Sequence, residues 1–341
     1  MKTKEFDYFL PKKLIAQKPI RPRDHSRLMV LERKKKKIIH DFFFNLGSYL
    51  RKGDGLIFNN TSVIPAKLIG QKPTGGRIEI LLVKKVKRRI WECLIRGKIK
   101  NKKLKINIKK NKKNLLIAEL KEKLPTGSWL VRFDKEGKKF KKIIEKIGLA
   151  PTPPYIKRIS NLKEYQTIYA RKKGSIAAPT AGFHFTQKLI KYLKEKGIKL
   201  KFITLHLGLG TFQPIKTEEI EKHKMSPEYV IINKRTAEEI NKIKEKGGRI
   251  IAIGTSTARA LESVAEKGKI YPFKGWVNLF IKPGYRFKFI DGLITNFHLP
   301  KSTNLVLVSS FAGKDFIFKA YQKAIKKGYR FYSFGDAMLI I

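Results

Sequence analysis

The chain has 341 residues, 42% of them hydrophobic, enough for one large or two ordinary domains with real cores. Lys and Arg number 77 against 27 Asp and Glu, a formal charge of +50 (77 − 27), so nucleic acid is the default partner. Lysine far outnumbers arginine, and Ile, Asn and Phe are abundant, so part of that excess reads as drift in an A+T-rich genome. The single cysteine, Cys93, excludes an intramolecular disulfide and a cysteine-based zinc site.

Residues 1–60 open with an arm rich in Pro and Arg (Pro11, Pro19, Arg21, Pro22, Arg23). Strands are predicted at Leu28–Leu31 and Gly55–Asn59, with an amphipathic stretch between them. From Val63 to Phe133 short apolar or alternating runs (Arg77–Val83, Ile90–Ile95, Leu115–Leu120, Ser128–Phe133) alternate with Gly, Lys and Asn clusters, the pattern of a small β-barrel. Cys93 falls in one of these runs and reads as buried packing. Phe140–Ile147 reads as a helix, and Pro151–Pro154 as a stiff linker.

Beyond Tyr155 helices and strands alternate: helix Leu189–Lys196, strand Leu200–Leu205, helix Thr236–Glu245, strand Arg249–Ile253, helix Ser256–Glu266, strand Leu305–Ser309 and helix Lys314–Ile325. That order predicts a substantially parallel sheet with helices on its faces. The expected architecture is a discontinuous α/β/α domain, residues 1–60 and 151–341, with a β-barrel domain inserted at 61–150. The lysine runs Lys34–Lys37 and Lys109–Lys113 read as solvated loops. With no apolar h-region at the start and no window of ~18 apolar residues, the protein is expected to be soluble, cytoplasmic and free of membrane.

Four windows nearly lack lysine: Gly174–Gln187, Phe202–Ile215, Ile251–Glu266 and Phe289–Gly313. Buried strands exclude lysine, but Pro179–His184 and Gly208–Thr211 are turn formers and hydrogen-bonding groups rather than core fillers. The windows are therefore expected to wall one pocket. Around Gly254 a strand, a glycine turn and a helix follow one another. Thr255 or Ser256 is placed to cap that helix, and its first-turn N–H groups with Arg259 suit a carboxylate or phosphate. An ordinary capped helix fits the same residues. Gly208 and Gly210 allow backbone to approach a flat ligand, although their spacing is not a dinucleotide fingerprint. His184, His206 and His298 lie at loop edges in three of the windows. Structural histidines, proton-transfer groups and a three-histidine metal site are all compatible with that placement, but no carboxylate or i, i+4 pairing supports metal.

Several longer segments resemble one family. Ala177–Thr186 (AAPTAGFHFT), Leu205–Pro214 (LHLGLGTFQP), Lys282–Phe287 (KPGYRF) and Asn296–Thr303 (NFHLPKST) carry the resemblance, with Asp7-Tyr8, Leu14–Gln17, Gly53-Asp54, Phe58–Thr61 and Tyr165–Thr167 matching in order. The chain is similar, from about residue 5 to 339, to the S-adenosylmethionine:tRNA ribosyltransferase-isomerases of queuosine biosynthesis. The resemblance implies an α/β domain with an inserted barrel. It also implies transfer and isomerisation of the S-adenosylmethionine ribosyl group onto 7-aminomethyl-7-deazaguanine (preQ1) at the tRNA wobble position. The products would be epoxyqueuosine-tRNA, adenine and methionine. S-adenosylmethionine would be a co-substrate, with no further cofactor or metal, and the enzyme is expected to be a monomer.

Under that resemblance His184 and His298 are candidates for proton transfers, with His206 nearby. Thr255 and Arg259 would hold the methionine carboxylate, with Ser256 beside them in the substrate site. Gly208 and Gly210 would admit a planar ring, and Ala181, Gly182, Phe185, Thr211 and Asn296 would complete the substrate site. Arg23, Arg27 and Lys67, with the lysine-rich barrel face, would meet tRNA phosphates. Three positions depart from the family pattern: Ser226 stands where a histidine is usual, and Ser62 and Lys67 where arginine is usual. Two rival readings are an RNA-binding protein without activity and a phosphate- or metal-dependent hydrolase built on the same turns.

Overall fold

The computed structural model describes residues 1–99, 104–111, 113–158, 161–208, 210 and 214–341. A loop-rich arm leads into β1 (Arg27–Glu32), β2 (Lys37–Phe42), β3 (Gly55–Asn59) and the short β4 (Thr61–Val63). Six strands follow: β5 (Lys67–Gln71), β6 (Arg77–Lys87), β7 (Ile90–Arg96), β8 (Lys105–Lys110), β9 (Lys113–Lys123) and β10 (Trp129–Phe133). Helix α1 (Gly137–Ile147) closes that run, and β11 (Lys172–Ser175), α2 (Gln187–Glu195), β12 (Lys199–His206), β13 (Glu228–Ile232) and α3 (Lys234–Glu245) come next. Then come β14 (Ile250–Ile253), α4 (Thr255–Val264), and the two-residue strands β15 (Ala265–Glu266) and β16 (Lys269–Ile270). The chain ends with β17 (Phe273–Val277), β18 (Gly292–Asn296), α5 (Thr303–Ala312), α6 (Lys314–Lys326) and β19 (Ala337–Ile340).

Nine strands form the main sheet in the order β17-β13-β12-β3-β14-β18-β19-β1-β2. Strands β12, β3, β14 and β18 run parallel, and every residue of β3, β14 and β18 is buried, as a sheet covered on both faces requires. The sheet is mixed rather than uniformly parallel: β18 meets β19 antiparallel, and both edges are antiparallel additions. On one face Ile240, Ala258, Leu261, Leu305 and Ile317 of the helices α3 to α6 pack against it. On the other, Phe43, Leu46, Phe185, Leu189 and Leu193 do so. Each large apolar side chain buried there contributes about 1.5–3 kcal/mol.

Strands β5 to β10 close into a barrel, ordered β10-β7-β6-β5-β8-β9. Alternate residues point inward, as Ile78, Ile80 and Leu82 do along β6, and Phe140 and Ile144 of α1 pack against that interior. Cys93 is buried there, where desolvation pushes its thiol pKa far above the ordinary value and leaves it inert.

Two expectations change. Leu305–Ser309 is not a strand but the middle of α5. Ser302 caps that helix by accepting the Leu305 amide, and its apolar residues are buried almost all round, so its run has no 3.6-residue periodicity to read. Lys109 and Lys110 lie within β8 and Lys113 begins β9, so these lysines of the run belong to strands rather than to a loop, with Asn111 in a turn and Lys112 outside the described residues. Among the described residues, no helix is long and apolar enough to cross a membrane.

Two buried carboxylates fix the segments around the sheet. Asp54, before β3, accepts from Arg249 Nη2 at 2.6 Å and from the Arg51 amide, tying β3 to the start of β14. Glu262 of α4, 1% exposed, accepts the amides of Lys288, Phe289 and Ile290 at 2.7, 3.0 and 2.9 Å. A glutamine there would turn an N–H group toward those donors. Glu262→Gln is therefore expected to lower the unfolding free energy by about 1–3 kcal/mol. Urea denaturation measures this, and an unchanged midpoint would mean that residues 285–290 are held by other contacts.

Candidate active site

A cleft opens at the carboxyl ends of β14 and β18, where ligands bind in open α/β sheets. Its free space, open solvent at the mouth included, is about 960 Å³. Its walls are Ala178–Ala181, the start of α4, Thr295–Leu299, the start of α5, and Leu279–Ile281. Three of the four lysine-poor windows thus line it. The fourth, Phe202–Ile215, contributes Leu207 among its described residues.

Gly254 is the N-cap of α4, with φ +95°, a conformation that favours glycine. Neither Thr255 nor Ser256 caps the helix. Both lie inside it, and among the described residues no side chain caps its first turn. The cleft therefore meets an uncapped helix start with its positive dipole end. Thr255 Oγ1 donates to Asn304 Oδ1 at 3.0 Å, which ties α4 to α5.

Arg259, one turn into α4 and 5% exposed, lines the cleft. It is not a free anion receptor: its Nη2 is ion-paired with Glu228 at the start of β13. Its Nη1 is buried with no hydrogen-bond partner among the described residues. Burial lowers its pKa to about 10, so it remains a cation at neutral pH.

Asn296, at the end of β18, organises the back wall. Its Oδ1 accepts from Thr180 Oγ1 at 3.1 Å, and its Nδ2 donates to the Tyr332 carbonyl at 3.1 Å. A carbonyl only accepts, so that bond orients the amide. Nδ2 then also donates to His184 Nε2 at 3.1 Å. His184 must carry its proton on Nδ1, which donates to Ser26 Oγ at 2.7 Å. Burial, and then the charges of Arg23 and Arg330, push the His184 pKa down to about 3. Both ring nitrogens are engaged behind the cleft, beside a small second cavity.

His298 does line the cleft. Its Nε2 lies 2.8 Å from Thr295 Oγ1, its amide donates to Tyr321 Oη at 2.9 Å, and its carbonyl accepts from Tyr8 Oη. Burial lowers its pKa to about 3 as well, so the ring is neutral. His206 stands outside the cleft, its Nδ1 2.8 Å from Thr61 Oγ1, with its pKa lowered by burial. The three histidines therefore do not converge, and no group of three His, Cys, Asp or Glu among the described residues is placed to hold a metal ion.

Ala181 lines the cleft, whereas Phe185 packs in the core against Phe43 and Phe58. A Cβ on Gly182 would lie 1.8 Å from Tyr169 Oη, so its close approach is to protein. A Cβ on Gly210 would likewise meet Ser226 Oγ at 2.6 Å, while one on Gly208 would meet open space. Thr211 lies outside the described residues.

The three expected phosphate contacts are engaged elsewhere. Arg23 Nη2 donates to the Glu164 carbonyl at 2.6 Å, with its guanidinium over Phe183. Arg27 pairs with Asp336 at 3.1 Å and donates to the carbonyls of Lys327 and Gly328. Lys67 pairs with Glu79 at 3.0 Å. Sequence reasoning missed Glu228, Asn304 and Tyr332. Asn304 lay in a lysine-poor window and was within reach, but nothing local marks Glu228 as the partner of a residue 31 positions away.

The low His184 pKa sets a stability window. The unfolded chain protonates this group below about pH 6.5 and the folded one only near pH 3, so its contribution is complete above 6.5 and is lost as pH falls. Between pH 6.5 and 5 it should remove about 1–2 kcal/mol. Urea unfolding at both pH values, for wild type and His184→Gln, checks this: the variant should lose less stability on acidification. Equal slopes would mean that His184 is protonated alike in both states.

A family model described as queuosine biosynthesis protein matches residues 3–340. S-adenosylmethionine:tRNA ribosyltransferase-isomerases of Thermoanaerobacter sp. (strain X514) and Aquifex aeolicus are 51% and 49% identical, with all of this chain and all of each relative covered. A crystal structure of S-adenosylmethionine tRNA ribosyltransferase from Thermotoga maritima is 37% identical, covering 99% of this chain and 100% of that one, with a TM-score of 0.57. The mixed α/β sheet with its closed barrel agrees with that match in fold. A match of this length, in sequence and in fold, is decisive: the chain belongs to the queuosine biosynthesis protein family.

Proposed function

We propose that this chain moves the ribosyl group of S-adenosylmethionine onto preQ1 at the tRNA wobble position and isomerises it, giving epoxyqueuosine-tRNA, adenine and methionine. One observation carries the reading most directly: a single cleft combines an uncapped helix start, a buried arginine with a spare N–H, and a neutral histidine. Full-length relatives named S-adenosylmethionine:tRNA ribosyltransferase-isomerase support the ribosyl transfer to tRNA and the isomerisation.

In this reading the methionine carboxylate binds at the start of α4, taking amides of the first turn and the spare Nη1 of Arg259. Glu228 neutralises the other side of that guanidinium, so the pocket is tuned for a zwitterionic amino acid rather than for a polyanion. His298 enters neutral, the form that accepts a proton. A pKa near 3 makes it a weak base, so the sulfonium must supply the driving force by acidifying the adjacent carbon. The imidazolium that results is a strong acid, suited to protonating departing adenine. His184 acts through Asn296 as a positioning residue.

Incubation with precursor-containing tRNA and S-adenosylmethionine, followed by detection of adenine, tests the activity. His298→Ala should lower the rate about 10²–10⁴-fold while the fold survives. Near wild-type turnover would remove His298 from the chemistry. Arg259→Ala should weaken S-adenosylmethionine binding by about 1.5–3 kcal/mol and leave tRNA affinity unchanged. Equal weakening of both ligands would place Arg259 in support of the fold instead.

A further inference from the structure

Three strands at one end of the sheet carry a row of rings. His206 of β12 pairs with Tyr229 of β13, and Tyr229 pairs with Trp276 of β17. Directly opposed antiparallel residues point to the same face, so the three rings stand side by side across the strands. Tyr229 and Trp276 have ring centroids 5.2 Å apart in an edge arrangement. Trp276 is 64% exposed, although this is the largest apolar side chain available for burial. The alternate residues Leu205, Val230 and Val277 point to the other face and are buried.

The row has basic neighbours. Two residues along, Ile231 pairs with Lys274, which is exposed on the same face. Arg171, Lys172 and Lys173 are exposed where β11 passes His206, and Thr61 Oγ1 contacts both His206 Nδ1 and the Lys172 carbonyl. That passage is close: a Cβ on Gly174 would lie 2.8 Å from the His206 ring. The one acid in the row's strand segments, Glu228, is buried on the far face with Arg259. The immediate chain neighbours of the row, Leu207 and Glu228, line the cleft.

We propose that His206, Tyr229 and Trp276 form a stacking platform for unpaired tRNA loop bases next to the nucleotide that enters the cleft. The inference rests on the tRNA reading above. A row of rings exposed at Trp276 and half-buried at Tyr229 and His206, flanked by cations, matches single-stranded RNA, whose splayed bases stack on aromatic side chains while phosphates meet Lys and Arg. A base-paired stem offers no free base faces, so the platform selects loop over stem, and it does so without reading sequence.

The test uses the full chain, a short hairpin RNA with an unpaired loop, and a blunt duplex of the same length. Trp276→Ala should weaken hairpin binding about 5- to 150-fold, the range for losing one stacked base, and leave duplex binding unchanged. Trp276→Phe should keep most of the affinity. In the wild type, a hairpin carrying 5-iodouridine in its loop should crosslink to peptides containing Tyr229 or Trp276, a readout independent of how the variants fold. Unchanged hairpin binding by a folded Trp276→Ala, equal loss on hairpin and duplex, or crosslinks confined to other surfaces would each overturn the platform. If the wild type still releases adenine with precursor tRNA in those cases, only the platform fails. If it releases none, the proposed activity fails.

Discussion

The orientation of one buried amide, that of Asn296, is the constraint on which the site depends. Its carbonyl takes the Thr180 hydroxyl, and its N–H groups reach the Tyr332 carbonyl and His184 Nε2. Through His184 the chain of bonds continues to Ser26, so four segments far apart in sequence meet in one largely buried network. In a low dielectric each such bond is strong and each broken one costly, so the network admits one arrangement.

Charge is handled differently inside and outside the cleft. Inside, the guanidinium of Arg259 is balanced by Glu228, and the dipole end of α4 supplies the remaining positive field. Burial keeps His184 and His298 neutral. Lysine, so common elsewhere, would bring uncompensated charge and flexible bulk into this space. The exclusion of lysine from the windows is thus an electrostatic and steric requirement. Outside, the net charge of +50 draws in polyanions without selecting among them.

Local sequence established a good deal by itself. Inward alternation along the barrel strands, the strand–glycine–helix passage at Gly254 and the lysine-poor windows were all legible, because each follows from periodicity, turn chemistry or composition within a few residues. The long ordered motifs also pointed to the queuosine family. Tertiary structure decided the rest. Leu305–Ser309 reads as a strand because burial almost all round erases the amphipathic signature that distinguishes helix from strand. Arg27 and Lys67 were engaged by Asp336 and Glu79, acids whose proximity depends on strand register and chain return. Of three similar histidines, only His298 faces the cleft, while His184 and His206 were fixed by Ser26 and Thr61. Residue type sets what a side chain is able to do. Its partners, often more than a hundred residues away, determine which of those capacities remains free.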